Sequence, residues 1–337
     1  MDVLDPRDSC DFIAKMSKNV KIHPEKIRPF TEHLLEALIE KELRLGSIKE
    51  HETFPVLNAD DSINLVFLLD TLNFCFWTKK NEEKWSVDFE GKTYTGYYAL
   101  CAAVANAIKE NIKIYDPKVY SAFTLDIVRK LFKGRGGKDI NLPGHRLKCL
   151  QEVGRVLLHK YDGGFANCVR LANRSSERLL NLVVRDFPCF NDSARYRGKI
   201  VSIHKRAQIL VADIWSLYYG KGISEFTDID YITMFADYRI PQVLVHFGVM
   251  SYSDQLQQKL EKEELLLNGS EEEVEIRGCS IKIVEMLLSD LKQLMEEKGN
   301  YYYCNSIMID NYLWMYRRKE ADKLESTPFH KTSSIYY

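Results

Sequence analysis

The sequence contains no pair of cysteines at C-x-x-C spacing. Its eight cysteines (Cys10, Cys75, Cys101, Cys149, Cys168, Cys189, Cys279 and Cys304) are scattered, so neither a zinc ligand set nor a redox dithiol is indicated and they read as buried or half-buried thiols. A surplus of positive charge is also missing. Against 47 Lys and Arg stand 48 Asp and Glu, a net charge of -1, which argues against a surface built to hold a polyanionic nucleic acid and leaves local basic clusters suited to a small anion. No long hydrophobic run occurs: the stretch 64–77 is interrupted by Asp70 and Asn73 and is too short to span a bilayer. The start, Met1-Asp2-Val3-Leu4-Asp5-Pro6-Arg7-Asp8, has no basic n-region followed by an apolar stretch and no Arg-rich, acid-poor bias. A cytoplasmic or nuclear protein away from the membrane is therefore expected.

The common catalytic signatures are absent as well. There is no His-Glu-x-x-His, no G-x-S-x-G and no Cys/His set, which removes the zincin, α/β-hydrolase and zinc deaminase classes. Lys133-Gly134-Arg135-Gly136-Gly137-Lys138 lacks the G-x-x-x-x-G-K-[ST] spacing of a phosphate loop and reads as a connection between helices. No metal or other cofactor is called for.

What is present is an ordinary globular composition, 45% hydrophobic and 28% charged over 337 residues, enough to bury a large core. Helical periodicity dominates after residue 95. Residues 97–108, rich in alanine, predict a buried helix, and further helices are predicted at 8–17, 24–43, 122–133, 145–160, 166–185, 199–219, 239–247, 253–267 and 280–298. Residues 85–94 alternate around Glu90-Gly91 as a hairpin would, and a second short β pair is expected at 274–282. The fold class is mostly α with minor β. One compact unit is expected over 1–337, subdivided into an N-terminal α+β part, 1–115, and a helical part, 116–325, with a loose polar tail at 326–337.

One segment invites chemistry. Met234-Phe235-Ala236-Asp237-Tyr238-Arg239-Ile240-Pro241-Gln242 sets a carboxylate among apolar residues just before a helix in which Pro241 is tolerable. Asp237 is either a helix cap or a working acid, and spacing alone leaves the cap ahead. Lys205, off the buried stripe Ile203, Ala207, Leu210, Ile214 and Leu217, is ordinarily a solvated lysine but can reach a cleft. Asn73-Phe74-Cys75-Phe76-Trp77 can form a slot for a planar heterocycle or simply belong to the core. The same choice applies to Asp310-Asn311-Tyr312-Leu313-Trp314, where a buried Asp310 must find partners, and to His51, a ligand donor or a surface imidazole.

Taken together, Asn73 to Trp77, Lys205-Arg206-Ala207-Gln208, Phe235 to Gln242 and Ile309 to Trp314 resemble the signature segments of the queuosine salvage family, in order and over nearly the whole chain. The resemblance implies a fold similar to the helix-hairpin-helix DNA glycosylases. It also implies hydrolysis of the N-glycosidic bond of queuosine 5'-monophosphate, which releases queuine and ribose 5-phosphate for salvage into tRNA modification. The partner it implies is this small nucleotide, with no stable nucleic-acid binding. It puts Asp237 at the reacting sugar, Lys205 in the same site, and Phe235, Asp310 and His51 on the base, with Asn73, Trp77, Met234, Trp314 and Arg239 as further substrate contacts. Two other readings stay open: a non-catalytic helical module that binds protein or RNA, and a glycosylase acting on nucleic-acid bases.

Overall fold

The computed structural model describes residues 3–337 and is mostly helical with small sheets. Its chain contacts fall into two units, each gathered from separated stretches. One takes the chain up to Gly46, then 192–208 and 230–333; the other takes 47–191, 209–229 and 334–337. The division expected near residue 115 thus lies inside the second unit, because distant stretches, and not consecutive ones, pair to bury their apolar faces.

The first unit is organised on the 27-residue helix Glu271–Glu297. Helices Pro6–Met16 and Ile27–Ile39 pack along it, as do Ile240–His246 and Ser306–Lys319. Approach to the first of these is close: a Cβ on Gly278 would lie 2.5 Å from Ile13 Cδ1. The β pair expected at 274–282 is absent, and those residues are helical. Every residue from Glu273 to Ile281 is buried, so the helix has no solvent face here to impose a 3.6-residue polar period, and Val274, Glu275, Ile276, Arg277 alternate like a strand. Conversely, the helix expected at 199–219 begins only at Lys205. Lys199–Ser202 is a strand antiparallel to Ser193–Tyr196 and parallel to Val3–Leu4. Its two-residue turn, Arg197-Gly198, has φ of 47° and 84°, the left-handed pair that suits a tight hairpin. A further antiparallel pair sets Val20 opposite Tyr252 and Ile22 opposite Met250.

The second unit holds helices Ala59–Thr71, Tyr97–Lys109 and Pro143–Lys160 and the expected hairpin, Ser86–Phe89 with Lys92–Thr95, turning at Glu90-Gly91. The single helix expected at 166–185 is two, Phe165–Leu171 and Ser176–Asp186. Asn173 and Arg174 turn left-handed between them, and the Ser175 hydroxyl caps the second by accepting the N–H of Arg178.

Residues 326–337, expected to be loose, are tied down at both ends. Within the first unit Lys331 bridges to Leu265 and its carbonyl accepts the N–H of Leu266 at 3.0 Å, while His330 is fully buried. Within the second, the Tyr337 carbonyl accepts the N–H of Cys75 at 2.9 Å. Polar composition misleads here because backbone pairing and the buried Lys331–Glu263 ion pair satisfy those groups internally. Among the described residues no helix is long and apolar enough to cross a membrane.

Candidate active site

The apolar run 232–236 is buried and leads into the short helix Ile240–His246. Between them, Asp237 Oδ1 accepts the N–H of Arg239 at 2.7 Å and of Ile240 at 3.0 Å. These are the donors a helix start leaves without intrahelical partners, so Asp237 is a cap in fact, and the bonds fix the direction of its carboxylate. Met234 and Phe235 beside it are buried, and the Phe235 N–H donates to Asp310 Oδ1 at 3.0 Å. Asp310 comes from the first turns of Ser306–Lys319, a helix begun by Asn305, whose side chain accepts the N–H of Met308. Burial pushes the Asp310 carboxyl well above the usual carboxylate range, and the Asp237 charge pushes it further; the Phe235 N–H and the Lys205 ammonium oppose this without reversing it. Burial thus favours the protonated form of Asp310, within reach of the Asp237 charge, whose direction the backbone fixes.

Lys205 is the first residue of the helix Lys205–Leu217 and is only 6% exposed, not the solvated lysine that its place off the apolar stripe suggests. Asp192 builds its turn: its carbonyl accepts the N–H groups of Ile203 and His204, and its Oδ2 accepts the Lys205 N–H at 3.0 Å. Asp192 is in turn held by Arg277, which donates Nη2 to Oδ2 at 2.5 Å and Nη1 to Oδ1 at 3.0 Å. The same guanidinium, 1% exposed, donates Nη1 to Glu273 Oε1 and Nε to the Ala236 carbonyl, each at 3.0 Å. One buried cation thus ties the start of the Lys205 helix to the residue before Asp237. A second tie is Gln208, whose Oε1 accepts both the N–H and the hydroxyl of Thr233, one residue before Met234.

Asp237, Lys205, Phe235, Asp310 and Met234 therefore gather in the first unit. Trp314 follows one turn after Asp310, with the Arg318 guanidinium 5.0 Å from its ring centroid. Arg239 lies against Gln242 and Phe329. His51, Asn73 and Trp77 belong to the second unit. There the His51 ring stacks on Tyr98 at 4.0 Å and 8°, and its Nδ1 bonds the Thr53 hydroxyl. Asn73 Nδ2 donates to Asp70 Oδ1 at 3.3 Å, and the Trp77 carbonyl accepts from Asn141. Arg146, fully buried, shapes this loop: it donates to the carbonyls of Leu72 and Phe74 and lies 4.3 Å from the Phe74 ring centroid.

Sequence reasoning missed Arg277, Asp192, Glu273, Gln208 and Arg146. For Arg277 the one signal is a charge inside an apolar period, between Ile276 and Cys279. Among the described residues no group of three or more His, Cys, Asp or Glu is placed to hold a metal ion, and the eight cysteines are buried thiols outside any disulfide.

The sequence profile of the queuosine salvage proteins matches residues 54–337. The chain belongs to the queuosine salvage protein family. It is 45% identical to a Bos taurus protein named queuosine 5'-phosphate N-glycosylase/hydrolase, over 99% of each chain. A Mus musculus protein of the same name is 43% identical, again over 99% of each, and one from Sphaerobacter thermophilus 36% over 81%. The queuosine salvage match takes in every candidate residue except His51, which precedes it.

Proposed function

We propose that this protein hydrolyses the N-glycosidic bond of queuosine 5'-monophosphate, yielding queuine and ribose 5-phosphate for queuine salvage into tRNA modification. The observation that carries this reading is the 45% identity over 99% of the chain to a protein named for that activity. The geometry supports it with a directed Asp237 carboxylate, a buried Asp310 whose protonated form is favoured, and the buried Met234 and Phe235.

The chemistry assigned to these residues follows from charge. As the C1'–N bond breaks, its electron pair leaves with the base and the sugar gains oxocarbenium character. Asp237 stabilises that positive charge and polarises the water whose hydroxyl adds to C1', while the remaining proton passes to the base. A 7-deazapurine has no N7 to protonate, so the departing negative charge must be met elsewhere on the heterocycle. Asp310, whose protonated form is favoured by burial, is assigned the donation of a hydrogen bond there. Lys205 balances the charge of the pair. Phe235, Met234 and Trp314 are assigned to packing the base and excluding water, and His51, Asn73 and Trp77 to further contacts with it. The likeness to the helix-hairpin-helix DNA glycosylases is part of this reading and rests on the family resemblance and the helical content. Buried cysteines outside any disulfide suit a reducing compartment such as the cytosol.

The test is incubation of the purified protein with queuosine 5'-monophosphate and a chelator, with queuine and ribose 5-phosphate followed by mass spectrometry. The wild type should release both. Asp237→Asn should lose about a hundredfold or more in rate. No product from the wild type, or undiminished turnover in the variant, would sink the reading.

A further inference from the structure

Two arginines of the first unit sit together with one exposed carboxylate, Glu325, to neutralise them. Gln242 Oε1 accepts Arg239 Nη1 at 3.0 Å and Arg317 Nε at 3.2 Å, so one neutral amide bridges two cations. The bridge is itself anchored: Gln242 is 1% exposed, and its Nε2 donates to the carbonyls of Thr327 at 2.6 Å and Leu324 at 3.2 Å. Among the described residues the one carboxylate within ion-pair distance of either guanidinium is Glu325, 3.4 Å from Arg317 Nη2. Its side chain is 62% exposed against 12% for Arg317, so the partner it offers is long and solvated. Arg239 is braced flat, its guanidinium 4.2 Å from the Phe329 ring centroid. Burial, and then the neighbouring Arg239 charge, lower the Arg317 pKa, as expected of like charges held together.

A neutral bridge orients both forks and cancels neither charge, and most of the five N–H donors of each guanidinium remain unused. Such a pair matches a dianion with several equivalent oxygens. Its place in the fold suits a nucleotide. Arg239 follows Asp237 by two residues, and Arg317 lies seven residues after Asp310, on the same helical face and about 10 Å along the axis. Lys205, by contrast, already acts on the Asp310 carboxyl. We infer that Arg239 and Arg317, bridged by Gln242, bind the 5'-phosphate of the substrate and set the preference for nucleotide over nucleoside. This rests on the function proposed above.

The test separates the two ideas by reading binding and turnover independently. Calorimetry with ribose 5-phosphate and with inorganic phosphate should show binding by the wild type, weakened about 10- to 150-fold in Arg317→Gln and in Arg239→Gln, the worth of a charge-assisted hydrogen bond. Glu325→Gln, an exposed change that spares the fold, should tighten both ligands by about two- to threefold. In turnover, the ratio of kcat/KM for queuosine 5'-monophosphate over queuosine should fall in the arginine variants and rise in Glu325→Gln. No phosphate binding by the wild type, or arginine variants that keep their affinity or lower both substrates alike, overturns the phosphate site. Phosphate binding that is lost in the arginine variants, in a wild type that cleaves neither substrate, leaves the anion site standing and removes the glycosidase reading.

Discussion

Removal of the Arg277 guanidinium is the sharpest perturbation this fold offers, because one side chain serves both halves of the carboxylate and lysine cluster. Arg277→Met keeps the aliphatic bulk and leaves the Asp192 and Glu273 carboxylates, 5% and 1% exposed, without their shared cation. Breaking a buried ion pair by removing one partner costs about 3–5 kcal/mol, and the Ala236 carbonyl also loses its donor at 3.0 Å. Urea unfolding should therefore show a loss of about 3–5 kcal/mol, a large part of the 5–15 kcal/mol typical of a whole protein. Asp192→Asn added to Arg277→Met removes one stranded charge, so the double variant should be more stable than the sum of the singles by about 0.5–3 kcal/mol. Activity should fall further than stability, since the Lys205 N–H and the turn before Asp237 both lose their anchor, and displacement near 1 Å costs about a hundredfold. A stability loss under about 1 kcal/mol, or strict additivity in the double variant, would refute the claim that this cation organises the site.

Asp310→Asn should reveal the raised carboxyl through pH. A raised native pKa means that the folded state holds a proton the unfolded chain releases, so the stabilisation is full below the unfolded value near 4 and is lost as pH climbs through the native one. The stability of the wild type relative to Asp310→Asn should thus decline with rising pH, and a flat difference in urea titrations would count against it. Gly278→Ala should destabilise by about 1–3 kcal/mol although alanine is the better helix former, because its Cβ would meet Ile13 Cδ1, Cγ2 and Cβ at 2.5–2.8 Å; an unchanged Tm would show that the two helices can part freely. Arg146→Met should loosen the 72–76 loop, seen as faster amide exchange at Cys75, while hydrogen exchange in Tyr97–Lys109 stays slow.

Local signals carried part of the fold. The hairpin at Glu90-Gly91 and the helix Tyr97–Lys109 follow from turn chemistry and helix propensity within a dozen residues, and both are present. The helix Glu271–Glu297 shows the converse. Its period is hidden over Glu273–Ile281 because that stretch is buried on all sides, and buried Glu275 is satisfied by the N–H groups of Lys18 and Asn19 and the hydroxyls of Ser17 and Tyr196, groups more than 75 residues away in sequence. No window of sequence contains that partnership. The site divides the same way: the Asp237 cap is legible from Asp237, Ile240 and Pro241, whereas the Asp192–Arg277–Ala236 tie joins three remote stretches. The assembly of two discontinuous units was invisible for the same reason.

On the function proposed above, capping and catalysis do not compete for Asp237, because that reading gives them to different atoms. Both backbone N–H groups bond Oδ1, and among the described residues no hydrogen bond is made to Oδ2. One oxygen is the anchor and sets the direction of the other, to which the proposed function assigns the substrate. The Asp237→Asn substitution acquires its meaning from this division. An amide oxygen can accept the same two N–H groups, so the helix start and the fold persist, while the oxygen given the chemistry in the proposed function is exchanged for an N–H₂ that can neither stabilise an oxocarbenium ion nor polarise water. Loss of activity at unchanged stability would therefore report the second oxygen alone.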